Sequence, residues 1–142
     1  MAFENPPRER IKTILEQTKT IAVVGLSDKP DRTSYMVSEA MQQKGYRIVP
    51  VNPNVESVLG EKSYASLADI DEPVDIVNVF RRSEDTVSVA EDTLRMKHKP
   101  SVFWLQLGIY NEEAAALVQA AGIEAIMDRC IKVEDSILRP KQ

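Results

Sequence analysis

The stretch Ile21-Ala22-Val23-Val24-Gly25-Leu26-Ser27-Asp28-Lys29-Pro30-Asp31-Arg32-Thr33-Ser34 decides the fold. Ile21–Val24 is a short apolar run closed by a glycine, the pattern of a strand covered on both faces. A polar loop follows. From Thr33 to Lys44 the spacing of Met36, Val37, Ala40 and Met41 predicts a helix with one apolar face, ended by Gly45.

The same alternation repeats on either side. Upstream, Asn5-Pro6 reads as an N-cap with proline at the first helical position, opening a helix from about Pro7 to Thr18. Downstream, Tyr46–Val51 is a second strand, stopped by Asn52-Pro53. Asn54–Asp71 is polar and mixed, with at most one helical turn near Ser66–Ile70. Val74–Phe80 is a third strand, and Ser83 stands where an N-cap belongs before a helix to about Lys97. Val102–Leu105 is a fourth strand, Asn111 caps a helix closed by Gly122, and Glu124–Met127 is a short fifth strand.

Strands that alternate with helices pair in parallel, because parallel neighbours need a crossover. The expected architecture is α/β: a Rossmann-like, doubly wound, parallel five-stranded sheet in the order 3-2-1-4-5, in three layers, forming one domain over residues 1–142. Ligands of such sheets bind beyond the carboxyl ends of the strands, where the order reverses. That order sets Gly25-Leu26-Ser27 opposite Gln106-Leu107-Gly108, with Asn52-Pro53 and Arg81-Arg82 to one side.

Composition narrows the function. A formal net charge of -4 argues against a general nucleic-acid binder. One cysteine, Cys130, allows no intramolecular disulfide, and with the lone His98 it gives no metal-site spacing. No apolar run is long enough to span a bilayer, and the start Met1-Ala2-Phe3-Glu4-Asn5-Pro6-Pro7 has no signal-peptide pattern, so a cytoplasmic protein is expected.

The loop after the first strand keeps only the first glycine of the dinucleotide pattern G-x-G-x-x-G. It offers hydroxyls (Ser27, Thr33, Ser34) and cations (Lys29, Arg32) instead, ahead of a helix start that favours phosphate. Val51-Asn52-Pro53 lacks the carboxylate that bonds an unphosphorylated ribose in a nicotinamide dinucleotide site, while Arg81-Arg82 adds charge able to neutralise phosphates.

Five segments in order now become informative together: Val23-Val24-Gly25-Leu26-Ser27, Val49-Pro50-Val51-Asn52-Pro53, Val79-Phe80-Arg81-Arg82-Ser83, Trp104-Leu105-Gln106-Leu107-Gly108 and Met127-Asp128-Arg129-Cys130. They resemble the stand-alone CoA-binding domain family of bacteria and archaea, itself similar to the N-terminal domain of the succinyl-CoA synthetase alpha subunit. The resemblance runs from about Ile11 to Ile131. It implies that the Gly25–Ser27 loop and Arg32 hold a pyrophosphate, that Asn52-Pro53 flanks the adenosine, that Phe80-Arg81 lies along the nucleotide, and that Gln106 and Gly108 border the pantetheine arm. The synthetases' phosphorylated histidine belongs to a further domain, and His98 lies outside every matching segment, so that reaction is not implied.

The remaining candidates have plainer readings. Ser27 has no histidine base nearby and reads as a phosphate-binding hydroxyl rather than a nucleophile. Trp104 reads as core, and Asp128 and Arg129 as pairing with each other's neighbours. Cys130 is either a buried inert thiol or one at the pocket mouth able to exchange with the thiol of CoA. The expected cofactor-binding set is thus Gly25, Leu26, Ser27, Lys29, Arg32, Ser34, Val51, Asn52, Pro53, Phe80, Arg81, Gln106, Gly108 and Cys130. With no catalytic constellation in view, the expected function is non-catalytic binding of coenzyme A or an acyl-CoA, with no nucleic-acid or membrane partner and no protein partner indicated. A small NAD(P)-dependent oxidoreductase and a protein-interaction module on a Rossmann scaffold are the competing readings.

Overall fold

A computed structural model describes residues 3–140, so Met1-Ala2 of the N-terminal segment and the last two residues of the 1–142 range lie outside the described residues. The helices are α1 (Arg8–Gln17), α2 (Thr33–Gln43), α3 (Thr86–Leu94), α4 (Glu112–Ala120) and α5 (Ile131–Leu138). The strands are β1 (Thr20–Val24), β2 (Arg47–Val51), β3 (Ser57–Val58), β4 (Glu61–Lys62), β5 (Ile76–Val79), β6 (Val102–Leu105) and β7 (Glu124–Ile126). β3 and β4 form a separate antiparallel hairpin. The other five strands make one parallel sheet, each of the five read from the sequence being present.

The order is β2-β1-β5-β6-β7. Counting only the sheet's own strands this is 2-1-3-4-5, which corrects the expected 3-2-1-4-5. The outer edge of β2 is already taken: Tyr64 N–H donates to the Pro50 carbonyl at 3.0 Å, and its own carbonyl accepts from Asn52 N–H at 2.9 Å. β5, in turn, is buried at all four positions and so suits the middle of a sheet rather than its edge. It pairs with β1 on one side and β6 on the other.

Successive strand residues face opposite layers. Ile21, Val23, Ile48, Ile76, Trp104 and Ile126 meet Ile11, Leu15, Val37, Met41 and Ile131, so α1, α2 and α5 form one layer. Ala22, Val49, Val77, Phe103 and Ala125 meet Val89, Ala90, Ala114 and Val118, so α3 and α4 form the other.

Three local expectations change. Asn5 does not cap α1, whose N-cap is Pro7. Its side-chain amide instead donates to the Met127 carbonyl and accepts from Met127 N–H, both at 2.8 Å, continuing the ladder at the end of β7. The Ser83 hydroxyl accepts from Tyr110 N–H at 3.0 Å rather than capping α3, and a short 3-10 turn over Ser83–Asp85 precedes that helix. α5 is a helix that the sequence pattern does not announce. It is docked by buried carboxylates: Glu134 pairs with Arg8, while Asp135, fully buried, accepts from the Tyr46 hydroxyl at 2.6 Å and pairs with Lys44. Arg139 donates to the Leu15 carbonyl and to the Tyr46 oxygen.

Burial first, and then the Asp135 carboxylate that accepts its proton, push the Tyr46 phenol above its ordinary value. A group whose folded pKa is raised contributes stability that is complete below its unfolded pKa, about 10 for tyrosine, and is lost as the pH climbs past it. Tyr46→Phe should therefore cost about 1–3 kcal/mol at pH 7, the scale of leaving a buried acceptor short of a donor. It should also make the loss of stability above about pH 10 shallower. Urea unfolding at neutral and alkaline pH measures both.

Candidate functional site

The strand pairings align Val51, Val24, Val79 and Leu105 across the sheet, so β2, β1, β5 and β6 finish level. The order reverses between β1 and β5, and there the two following loops are pressed together. Phe80 N–H donates to the Val24 carbonyl and Gly25 N–H to the Val51 carbonyl, each at 2.9 Å. Gly25 has φ +84°, and a Cβ on it would lie 2.3 Å from the Phe80 carbonyl oxygen and 3.6 Å from Arg81 Nε. Only glycine allows that approach. The loop facing Gly25 is thus Phe80-Arg81, not the expected Gln106-Leu107-Gly108. Gln106 stands one strand further on, roughly 10 Å across the sheet from β1.

The hydroxyls and amides of the β1–α2 loop first shape the loop itself. Ser27 N–H donates to the buried Ser34 hydroxyl, and Lys29 N–H to the Ser27 hydroxyl, both at 3.0 Å. Each hydroxyl keeps a proton to donate outward. No side chain caps the start of α2, so its first amides are left to whatever lies ahead of the helix. Asn52 ties the loops together: its Nδ2 donates to the Leu26 carbonyl at 3.0 Å and its Oδ1 accepts from Asn54 N–H at 2.9 Å. Pro53 beside it is exposed. Leu26 and Val51 are core residues whose side chains are buried. Phe80 is half-buried against the α1–α2–α5 layer.

At the far side, Gly108 N–H donates to Asp128 Oδ1 at 2.7 Å, locking the loop after β6 to the loop after β7. Trp104 is core, as expected, and its indole N–H donates to the Arg129 carbonyl at 2.9 Å. Cys130 is half-buried and forms the N-cap of α5, three strands away from β1.

The cations sort themselves. The sequence has nine arginines. Arg8, Arg10, Arg47, Arg82, Arg95 and Arg139 each have a carboxylate partner. Among the described residues Arg32, Arg81 and Arg129 have none, and all three lie beyond carboxyl ends of strands: β1, β5 and β7. Lys29 is likewise exposed and unpaired among the described residues. Arg82 is not free in this sense, since it reaches back to Asp85 at 3.1 Å. Arg129 was read as pairing with neighbours, whereas its Nε is enclosed and has no hydrogen-bond partner.

A cavity of about 310 Å³ opens at the ends of β1 and β2, lined by Val24, Val51, Ser66, Leu67, Arg81 and Asp85 among others. Two larger concavities, about 510 and 550 Å³, lie elsewhere, beside Lys44 and Tyr46 ahead of β2 and beside Gly122 and Ile123 ahead of β7. Size does not identify the site here. The level strand ends, the glycine approach and the unpaired arginines are at the opposite edge of the sheet from both.

Such a crevice, at the reversal point of a parallel sheet with cations gathered round it, is where doubly wound α/β folds take their ligands. Residues 19–136 match the family described as "CoA binding domain", and the chain belongs to that family. It is 53% identical to the uncharacterized protein YneT of Bacillus subtilis strain 168, over 96% of this chain and all of that protein. A solved Thermus thermophilus structure superposes with a TM-score of 0.88 at 36% identity, covering 94% of this chain and 99% of that one. A shorter likeness, 35% identity over 60 residues, is to an ADP-forming acetate–CoA ligase of Archaeoglobus fulgidus, covering 41% of this chain and 9% of that protein. Among the described residues no helix is long and apolar enough to cross a membrane.

The two crevice glycines should respond differently to alanine. Gly108 has φ +85° but open space where a Cβ would go, so Gly108→Ala should cost about 1–2 kcal/mol from backbone conformation alone. Gly25→Ala adds a collision with main chain and should cost distinctly more. Chemical denaturation of both variants, side by side, checks the ranking.

Proposed function

We propose that this protein binds coenzyme A or an acyl-CoA in the crevice at the carboxyl ends of β1, β2, β5 and β6, and that it does so without catalysing a reaction. The observation that carries this reading is the set of arginines without carboxylate partners at that edge, in a chain of net charge -4 whose other arginines are all paired. An acidic protein whose arginines lack carboxylate partners only beyond its strand ends is suited to a polyanion there.

CoA presents a pyrophosphate and a ribose phosphate at one end and a neutral arm at the other. Lys29, Arg32, Arg81 and the uncapped start of α2 suit the phosphates. The cavity beside Val24, Val51 and Arg81 is of a size to take the base. The arm then runs across β5 and β6 toward Cys130, with Gln106 along its path. The β2 end supports a ligand whose ribose is phosphorylated: it offers Asn52, whose amide is already committed to the Leu26 carbonyl and Asn54, and no carboxylate. The carboxylates that line the cavity, Asp85 and Asp92, are paired with Arg82 and Arg95, which supports the non-catalytic part of the proposal, since proton transfer needs a group free to reach the reacting atom.

Two outcomes are expected. A ligand held at about a hundred times its dissociation constant stabilises the fold by about 2.7 kcal/mol. For a chain of this length that raises the melting temperature by roughly 5–10 °C. Millimolar CoA should do so, NAD and NADP should do less, and neither dinucleotide should support hydride transfer. A larger shift with NADP than with CoA would favour an oxidoreductase.

The second outcome concerns the phosphates. Arg32→Ala and Arg81→Ala should each weaken CoA binding by about 1.5–3 kcal/mol, the range for a hydrogen bond to a charged group. Both should leave the unfolding midpoint of the free protein nearly unchanged, because neither residue has a carboxylate partner to lose. Titration calorimetry that finds full affinity in both variants puts the phosphates elsewhere.

A further inference from the structure

One residue of the crevice also holds a helix. Gln106 ends β6 and is 3% exposed. Its Oε1 accepts from the backbone N–H of Ile131, the first residue of α5, at 2.9 Å, and from Asn78 Nδ2 at 3.4 Å. A backbone N–H only donates, so the amide cannot be turned round: its oxygen faces α5 and its nitrogen faces away. That nitrogen carries two protons and meets no acceptor among the described residues. Nor is it sealed in. Among the described residues the fully enclosed side-chain polar atoms that lack a hydrogen bond are Ser38 Oγ, Arg129 Nε and Asp135 Oδ2, the last of these ion-paired with Lys44. Gln106 is therefore an almost buried neutral donor with a fixed aim and no protein acceptor among the described residues, so a ligand acceptor placed there gains a directed hydrogen bond.

We propose that Gln106 is the residue that tells a ligand with a carbonyl-bearing arm from a bare nucleotide, and that the same side chain carries the arm's arrival to the first turn of α5. The inference rests on the CoA reading above and assigns it a specificity residue. Position supports it. β6 is two strands from β1, roughly 10 Å away, beyond the phosphates but within the run of a pantetheine arm, whose amide carbonyls are neutral acceptors.

α5 is the element placed to respond. Beyond its opening residue it is held by Glu134 with Arg8 and by Asp135 with Tyr46 and Lys44. Its first turn has no side-chain cap from the N-cap residue Cys130 and is held by Gln106. A ligand carbonyl accepting from Nε2 would fix the Gln106 side chain and, through Oε1, the Ile131 amide.

The test compares CoA with adenosine 3′-phosphate 5′-diphosphate, which has the phosphates and base but no arm, by calorimetry at pH 8. Gln106→Glu keeps an acceptor for Ile131 but loses the donor. Gln106→Met loses both, and it tests the same point should the buried carboxylate prevent folding. The wild type should prefer CoA. In both variants CoA should weaken roughly tenfold, the scale of one or two neutral hydrogen bonds, while the armless nucleotide binds as before. Hydrogen exchange at Ile131 should slow on adding CoA to the wild type and not to Gln106→Met. Equal weakening of both ligands, retention of the wild-type preference, or exchange at Ile131 indifferent to CoA would each overturn the assignment. Failure of the wild type to bind either ligand would overturn the CoA reading itself.

Discussion

The contact between Gly25 and the Phe80 carbonyl is the constraint on which the rest of this molecule depends. It exists because β5 lies directly beside β1, and it places two loops that are 55 residues apart within van der Waals reach at the end of the sheet. A side chain at position 25 would push them apart. With hydrogen there instead, Arg81 arrives beside the loop that leads into α2, and cations from two separate segments serve one crevice. The close packing and the proposed chemistry thus share one cause: a missing Cβ.

α5 shows the opposite economy. Its buried face carries Glu134 and Asp135 as well as Ile131, so its docking relies on ion pairs and hydrogen bonds to α1, α2 and the start of β2. A buried carboxylate is tolerable only when its partners are in place, and apart from Arg139, at the end of α5 itself, the partners here lie elsewhere in the chain. Removing Arg8 would leave the buried Glu134 an unpaired charge rather than a mere gap. The helix is consequently well specified in position, though it contributes little apolar burial.

The five sheet strands were legible because each is an apolar run punctuated by Gly, Pro or Asn, and that signal needs no tertiary information. Their order was not. It turns on Tyr64 closing the edge of β2 through main-chain groups, which leave no mark in the side chains. The Ile76–Val79 stretch, apolar but for Asn78, is the available clue to a central strand. α5 escaped notice because its pattern is inverted, with Val133 and Ile137 outside and two acids inside. The β3–β4 hairpin turns on Leu59 at φ 55°, a residue that sequence rules do not place in the left-handed region. At the site, Gly25, Arg32 and Arg81 could be picked from their places after strands. The orientation of Gln106 and the unpaired state of Arg129 depend on partners remote in sequence.

The Asn5 amide on Met127 has a consequence for life at high concentration. A parallel sheet has two borders, here β2 and β7, and a bare border invites a strand from another molecule. Tyr64 lies along the upper part of one border, and Arg47, flanked by Glu61 and Glu72, charges the lower part. On the other border Asn5 takes both main-chain groups of Met127, the residue at which a further strand would begin to zip. A side chain thereby does the work of a neighbouring backbone, and the chain shields its own margins from the templated aggregation to which exposed sheet edges are prone.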